Sequence, residues 1–444
     1  MKEITNESLK KYDEDFNSDR ANLIAMNAVT NNGINKSSSS PEEVKKARHN
    51  YSVMIETGDI TNQKQSGRCW MFASLNFMRL EVMKNLNLKT VELSQNYPLF
   101  YDKLEKTNYF LESIIKTVDI DIHDRLISHL LTDPLCDGGQ WDMFVNLVKK
   151  YGVVPKDAMP EVISSSATRE LDRYLTLKLR EFAHTIREEY KSGKSVEELQ
   201  LLKDDMLNTV YRMLTISLGK PPKKFTFEVR DKNDKFIRIE NITPQEFYEK
   251  YVGLNLDDYI SIINAPTKDK PYNKTFTVDY LGNIVGGRDI KYLNLPIEEL
   301  KNLAIKQLKD NKAVWFGSDV GQFSVREDGI LSTDTLNVDK LFNTSFPLTK
   351  EERLDYKESL MTHAMLITGV NLDDNDKPNR WRVENSWGKD VGKDGYYVMT
   401  DDWFSEYVYQ VVIDKKYLSE EQKESYEQDP IILEPWDPMG SLAK

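Results

Sequence analysis

The stretch Asn62-Gln63-Lys64-Gln65-Ser66-Gly67-Arg68-Cys69-Trp70 carries a polar loop straight into CWMFASLNFMRLEVMK (69–84). The first half of that segment is apolar on nearly every side, which at this length predicts a helix buried in the core. Cys69 then opens the helix. A helix N-terminus offers free N–H groups and the positive end of the macrodipole, and both favour an anion. The thiolate is the reactive form of cysteine, so the placement suits a nucleophile. The same N–H groups can donate to an oxyanion formed in acyl transfer, and Gln63 can aim its side-chain amide at the same point. Arg68 is expected to point to solvent. A cysteine is more often a small buried hydrophobe than a nucleophile, so Cys69 has to be judged by its partners.

A thiol nucleophile needs a base. The chain has five histidines. His49, His123 and His129 lie in polar stretches, and His184 falls off the apolar stripe of its helix. His363 instead opens an apolar strand, HAMLITGV (363–370). A polar turn and a second strand, WRVENSWG (381–388), follow it. An antiparallel hairpin centred on Asp374 would set His363 across from Asn385. The polar run is centred nearer Asp376, so the register stays open by a few residues. Opposed Cβ atoms in such a ladder lie about 4.5–5.5 Å apart. At that range the Asn385 oxygen accepts from one imidazole nitrogen and leaves the other to face the thiol, the base-and-orienter logic of a nucleophilic triad.

Working outward, 444 residues exceed the usual size of one compact domain, so an elaborated domain or several units are expected. Two cysteines, Cys69 and Cys136, are too few for a disulfide framework, and scattered histidines give no structural zinc site. The net charge of -12 argues against a nucleic-acid partner. No apolar run approaches the roughly 20 residues that span a bilayer. The start, MKEITNESLKKYDEDF, lacks the apolar core of a secretory signal, so a cytoplasmic protein without a membrane partner is expected. No metal or organic cofactor is expected, because thiolate chemistry needs none.

Residues 1–50 read as an N-terminal arm, and 51–160 as the unit that carries the nucleophile helix. Residues 161–292 read as an inserted region. In it, Leu175, Leu179, Phe182 and Ile186 predict one amphipathic helix; Leu199, Leu202, Met206, Val210 and Met213 predict a second. The run Ser195-Val196-Glu197-Glu198 fits a capping box for the second. Residues 224–292 read as short strands and turns. Residues 293–415 hold a helix (298–311), a strand (313–320) and the strands of His363 and Asn385. Residues 416–444 first look like a disordered tail. Yet Ile431, Ile432, Leu433, Trp436, Met439 and Leu442 are many apolar anchors for a free end, and prolines stiffen it.

The nucleophile stretch resembles papain-like cysteine peptidases, whose local signature is C-G-[SA]-C-[WY]. Here it reads Ser66-Gly67-Arg68-Cys69-Trp70, so Ser66 removes the upstream cysteine and its disulfide. Asn385-Ser386-Trp387-Gly388, with Gly392 and Gly395-Tyr396, resembles the family's second signature. There the tryptophan, Trp387 here, shields the Asn–His hydrogen bond. Gly138 and Gly139, in Cys136-Asp137-Gly138-Gly139-Gln140-Trp141-Asp142, resemble the glycine pair that lines the cleft and pairs with an extended substrate; Cys136 reads as structural. Papain-like enzymes place the histidine and asparagine roughly 130–150 residues after the cysteine. His363 stands 294 residues after Cys69, so about 150 residues are inserted.

That layout resembles the bleomycin hydrolase and aminopeptidase C family over essentially the whole chain, down to the tail Glu434-Pro435-Trp436-Asp437-Pro438-Met439. The resemblance implies an α+β, papain-like cysteine peptidase fold, with a helical left half, a β-barrel-like right half and large helical and β insertions. It implies a homohexamer built through the N-terminal arm and the inserted helices. It also implies a C-terminal arm lying in the cleft, its end at Ala443 or Lys444 meeting the free amine of a peptide substrate. The expected activity is then a broad cysteine aminopeptidase using Cys69, His363, Asn385 and Gln63. A papain-like endopeptidase, a Cys-His acyltransferase and a non-enzymatic scaffold are the alternatives.

Overall fold

The computed structural model describes residues 1–443; Lys444 lies outside the described residues. The helix expected at Cys69 runs Cys69–Asn85 (α1), and every residue from Cys69 to Arg79 is buried. No side chain caps its first turn, so its leading N–H groups are left for other acceptors. Around it stand the helices Asn96–Lys116 (α2) and Trp141–Tyr151 (α3). Trp141 packs edge-on against Phe77 at 5.6 Å, which joins α3 to α1. The inserted helices are Arg169–Lys191 (α4) and Val196–Leu218 (α5). Their stripes bury Leu175, Leu179 and Ile186 on one and Leu199, Val210 and Leu214 on the other, against α2. The capping box at Ser195 is in place: Glu198 N–H donates to Ser195 Oγ at 3.3 Å, and Ser195 N–H donates to the Glu198 carboxylate at 2.8 Å.

Nine strands build the main sheet: Tyr259–Ile263 (β1), Lys274–Val278 (β2), Tyr292–Asn294 (β3), Val314–Ser318 (β4), His363–Leu372 (β5), Pro378–Glu384 (β6), Tyr396–Thr400 (β7), Val408–Asp414 (β8) and Ile431–Leu433 (β9). Their order is β9-β2-β3-β1-β8-β4-β5-β6-β7, continued past β7 by two short strands, while Val53–Met54 adds to β5. The strands of 259–294 are thus continuous with the sheet that carries the catalytic candidates. Only the hairpin of Phe225–Arg230 and Phe236–Ile242 stands off as a separate two-stranded sheet. The face of β5 and β4 packs on α1, so the histidine strand lies against the nucleophile helix.

The two ends of the chain behave differently. Helices Asn6–Ser18 and Arg20–Asn32 bury no residue, and Leu9, Tyr12, Phe16, Leu23, Ile24 and Met26 are exposed. The C-terminal stretch is docked. β9 pairs in parallel with β2, the Arg125 guanidinium stacks on Trp436 at 3.6 Å, and Lys270 pairs with Asp437 at 2.8 Å. Met439 and Leu442 are buried.

Candidate active site

Two loops more than 300 residues apart are zipped together at the site. Gln63 N–H donates to Ser386 O at 2.8 Å, and Gly388 N–H donates to Thr61 O at 3.1 Å. Gly388 sits at φ +85°, and a Cβ there would meet the Asn62 amide at 2.5 Å, so the Asn-Ser-Trp-Gly turn needs this glycine. On the other loop, Lys64 takes a left-handed φ of 55°, and Asn62 Oδ1 accepts its N–H at 2.9 Å. The Ser386 hydroxyl donates to Gln63 Oε1 at 2.6 Å, while Gln63 Nε2 donates to Ser66 O at 2.7 Å. The Gln63 side chain is therefore held at both ends, with its second N–H still to give.

His363 starts β5 and pairs with Ser318 of β4. Its Nε2 lies 2.9 Å from Asn385 Oδ1. Ser386 N–H donates to the same Oδ1 at 2.8 Å, which fixes the amide so that its oxygen faces the ring. Nε2 must then carry the proton, and Nδ1 is left with its lone pair. Trp387 covers the ring, with centroids 4.7 Å apart, and Arg326 lies over Trp387 at 4.4 Å. Cys69 Sγ accepts the N–H of Ala364, the residue after His363, at 3.4 Å. Cys69, His363 and Asn385 are all nearly fully buried.

Two expectations change here. The hairpin ladder pairs Leu366 with Glu384 and Ile367 with Val383, then shifts register before Gly369. Continued downward, it would set His363 across from Trp387. β6 ends at Glu384, however, and Asn385 turns away to donate to Gly395 O at 3.4 Å. The Asn385–His363 contact is therefore diagonal, not directly opposed. Arg68 does not point to solvent. It is buried, bidentate to Glu161 at 2.9 and 2.8 Å, and packed over Phe72 at 5.2 Å. A guanidinium inside the fold demands such a fork-shaped partner.

Electrostatics also refine the picture. Burial pushes the Cys69 thiol up to about 11, against the pull of the Ala364 and Trp70 N–H groups. Burial lowers His363 to about 4; the Asn385 bond opposes this and Arg326 adds to it. Desolvation thus outweighs the helix N-terminus for a lone thiolate. Taken singly, each group is pushed toward its neutral form.

The glycine pair forms the cleft wall. A Cβ on Gly139 would lie 2.5 Å from the Trp70 ring. Gly139 N–H donates to Leu442 O at 3.0 Å, so the wall is paired with the chain's own C-terminal segment. Gly138 O accepts from Lys106 at 2.5 Å. The Cys136 thiol donates to Ala443 O at 3.0 Å, and Ser441 Oγ donates to Met361 O at 2.8 Å, two residues before His363. Lys444, the other expected end residue, lies outside the described residues.

Sequence reasoning missed the supports. Asp137 accepts Gly67 N–H at 2.7 Å and the buried Lys103 at 2.8 Å, and Lys103 also holds Asp172 of α4 at 2.5 Å. This ties the nucleophile loop to the inserted helix. Asp137 stands next to the noted glycine pair, so that motif was the available signal. Glu161 offered none, being 93 residues from Arg68. Among the described residues no cluster of side chains fit to hold a metal ion is present, and no helix is long and apolar enough to cross a membrane.

A model of the Peptidase C1-like family matches residues 3–440. The chain is 49% identical over 441 residues to aminopeptidase C of Listeria innocua serovar 6a, covering 99% of each chain. It is 46% identical to bleomycin hydrolase of Gallus gallus, covering 89% of this chain and 88% of that one. A crystal structure of pepw from Lactobacillus rhamnosis HN001 superposes with a TM-score of 0.97 at 51% identity, over 99% of both chains. The chain therefore belongs to the Peptidase C1-like family, as a papain-like cysteine peptidase of the aminopeptidase C and bleomycin hydrolase type.

Proposed function

We propose that the protein is a cysteine aminopeptidase whose cleft is limited by its own C-terminal arm. The observation that carries this reading is the pairing of Gly139 N–H with Leu442 O, beside the Cys136–Ala443 contact. An extended substrate pairs with a cleft glycine by such main-chain bonds. With that position occupied by the arm, only a short stretch of substrate fits between the arm's end and Cys69. A free peptide N-terminus then lies next to the arm.

The chemistry follows from the neutral pair. Burial penalises either charge alone, so proton transfer from Cys69 to His363 Nδ1 creates both charges together. The thiolate attacks the substrate carbonyl, and the oxyanion meets the Cys69 N–H at the uncapped helix start and the second N–H of Gln63. The His363 imidazolium returns its proton to the leaving amine, which departs as the shortened peptide. Water, deprotonated by His363, then cleaves the thioester and releases the amino acid. Asn385 keeps Nδ1 facing the thiol throughout.

The test is hydrolysis of free and N-blocked aminoacyl fluorogenic amides. Wild type should cleave the free amides and leave the blocked ones, and Cys69→Ala should abolish turnover. Equal cleavage of blocked and free amides would instead mark an endopeptidase.

The same reading includes a homohexamer, supported by the exposed apolar side chains of the first two helices and by Leu201 and Ile216, exposed on the inserted helices.

A further inference from the structure

A cavity of about 560 Å³ opens beside the cleft wall. One side is the loop of Leu135, Cys136 and Asp137, which leads into Gly138 and Gly139. The other is the face of α4 that carries Arg169, Arg173 and Leu177, spaced as neighbours on one helix face. Its position relative to the reaction follows from two contacts. The Cys136 thiol holds Ala443 O, which sets the arm's end at one edge of this wall. Asp137 holds Gly67 N–H, two residues before Cys69, which sets the nucleophile at the other. The loop of Cys136 and Asp137 is therefore shared between the cavity and the contacts that hold the arm's end and the nucleophile loop.

The charges of the cavity are unequal in availability. Asp137 and Asp172 share the buried Lys103. Arg180 donates to the carbonyls of Leu131 and Thr132 at 3.0 and 2.8 Å. Asp133 also stands at the rim. Arg169 and Arg173 are exposed, and neither forms an ion pair among the described residues. Arg173 lies over the Tyr174 ring at 5.7 Å, and both guanidiniums remain open to a carboxylate.

We propose that this cavity receives the side chain of the N-terminal residue being released, and that Arg169 and Arg173 select acidic side chains there over basic ones. The proposal rests on the aminopeptidase reading. A glutamyl or aspartyl carboxylate entering the cavity meets two guanidiniums that can bind it as a fork, and a lysyl ammonium meets like charge.

The experiment measures kcat/KM for glutamyl, lysyl and alanyl amides with free N-termini, on wild type and on the R169E/R173E variant. Glutamyl and lysyl values are divided by the alanyl value within each protein, which cancels any loss of active enzyme. The glutamyl-to-lysyl ratio should fall by about tenfold or more on charge reversal, carried by four weak surface-type interactions of changed sign. An unchanged ratio overturns the proposal. If the double variant is inactive on all three amides, the single R173Q variant decides by the same ratio, which should fall severalfold. Failure of wild type to cleave any free amide would instead overturn the aminopeptidase reading, which the ratio alone does not touch.

Discussion

At the scale of single residues, burial pushes the Cys69 thiol and the His363 imidazole toward their neutral forms. His363 is the clearest case. Its ordinary value is 6.5, and burial holds it at about 4 in the fold. The folded chain therefore binds fewer protons than the unfolded chain between those values. The stability this contributes is fully present above about pH 6.5 and lost as pH falls through the window to about 4, of the order of 3 kcal/mol. The melting temperature of wild type should then fall more than that of His363→Asn between about pH 7 and about pH 4.5. Parallel curves would show that His363 is not held neutral. That Cys69, His363 and Asn385 come together was legible in the sequence, from a cysteine opening a helix and a histidine opening a strand. Arg68 was not. An arginine beside a thiol reads as solvated by default, and its carboxylate partner is fixed only by the folded chain.

At the scale of elements, the same division holds. α1 was readable as an apolar run of helix length, and α4 and α5 because their apolar positions follow helical periodicity, with Ser195 capping the second. The hairpin was readable as a hairpin, but its register was not, because the shift between Ile367 and Gly369 leaves no compositional trace. Nor could composition tell that the strands of 259–294 join the main sheet, since short strands carry little information about their neighbours. One buried ion pair locks α1 to the end of β6, just before Asn385. Arg79 donates to Glu384 at 2.8 Å, both side chains are almost fully buried, and Glu384 precedes Asn385. Arg79→Met leaves that carboxylate buried without its partner. The variant should lose about 3–5 kcal/mol, read as a lower urea midpoint, and lose activity beyond its loss of folded protein. A midpoint within error of wild type would show that water or another donor satisfies Glu384.

At the scale of the whole molecule, the two ends of the chain have opposite roles in the account. The first 32 residues expose apolar side chains that a monomer has no use for, and the proposed hexamer would cover them. Sedimentation should give about six times the 51.6 kDa chain mass, and removal of residues 1–32 should lower it. A monomeric full-length protein would refute that assembly. At the other end, Met439, Gly440, Leu442 and Ala443 are buried, with Leu442 bonded to Gly139 and Ser441 to Met361. In the proposed function, Cys69, His363 and Asn385 carry the peptidase chemistry and the arm sets which end of a peptide is cut. The most direct measurement is the cleavage of N-blocked peptide amides by a chain ending at Met439, compared with the full chain and with each carrying Cys69→Ala. The account predicts that the shortened enzyme gains cleavage of blocked peptides, that the full chain leaves them intact, and that both activities vanish without the thiol. A shortened enzyme that stays folded and active on free amides, yet still leaves blocked peptides intact, would contradict it.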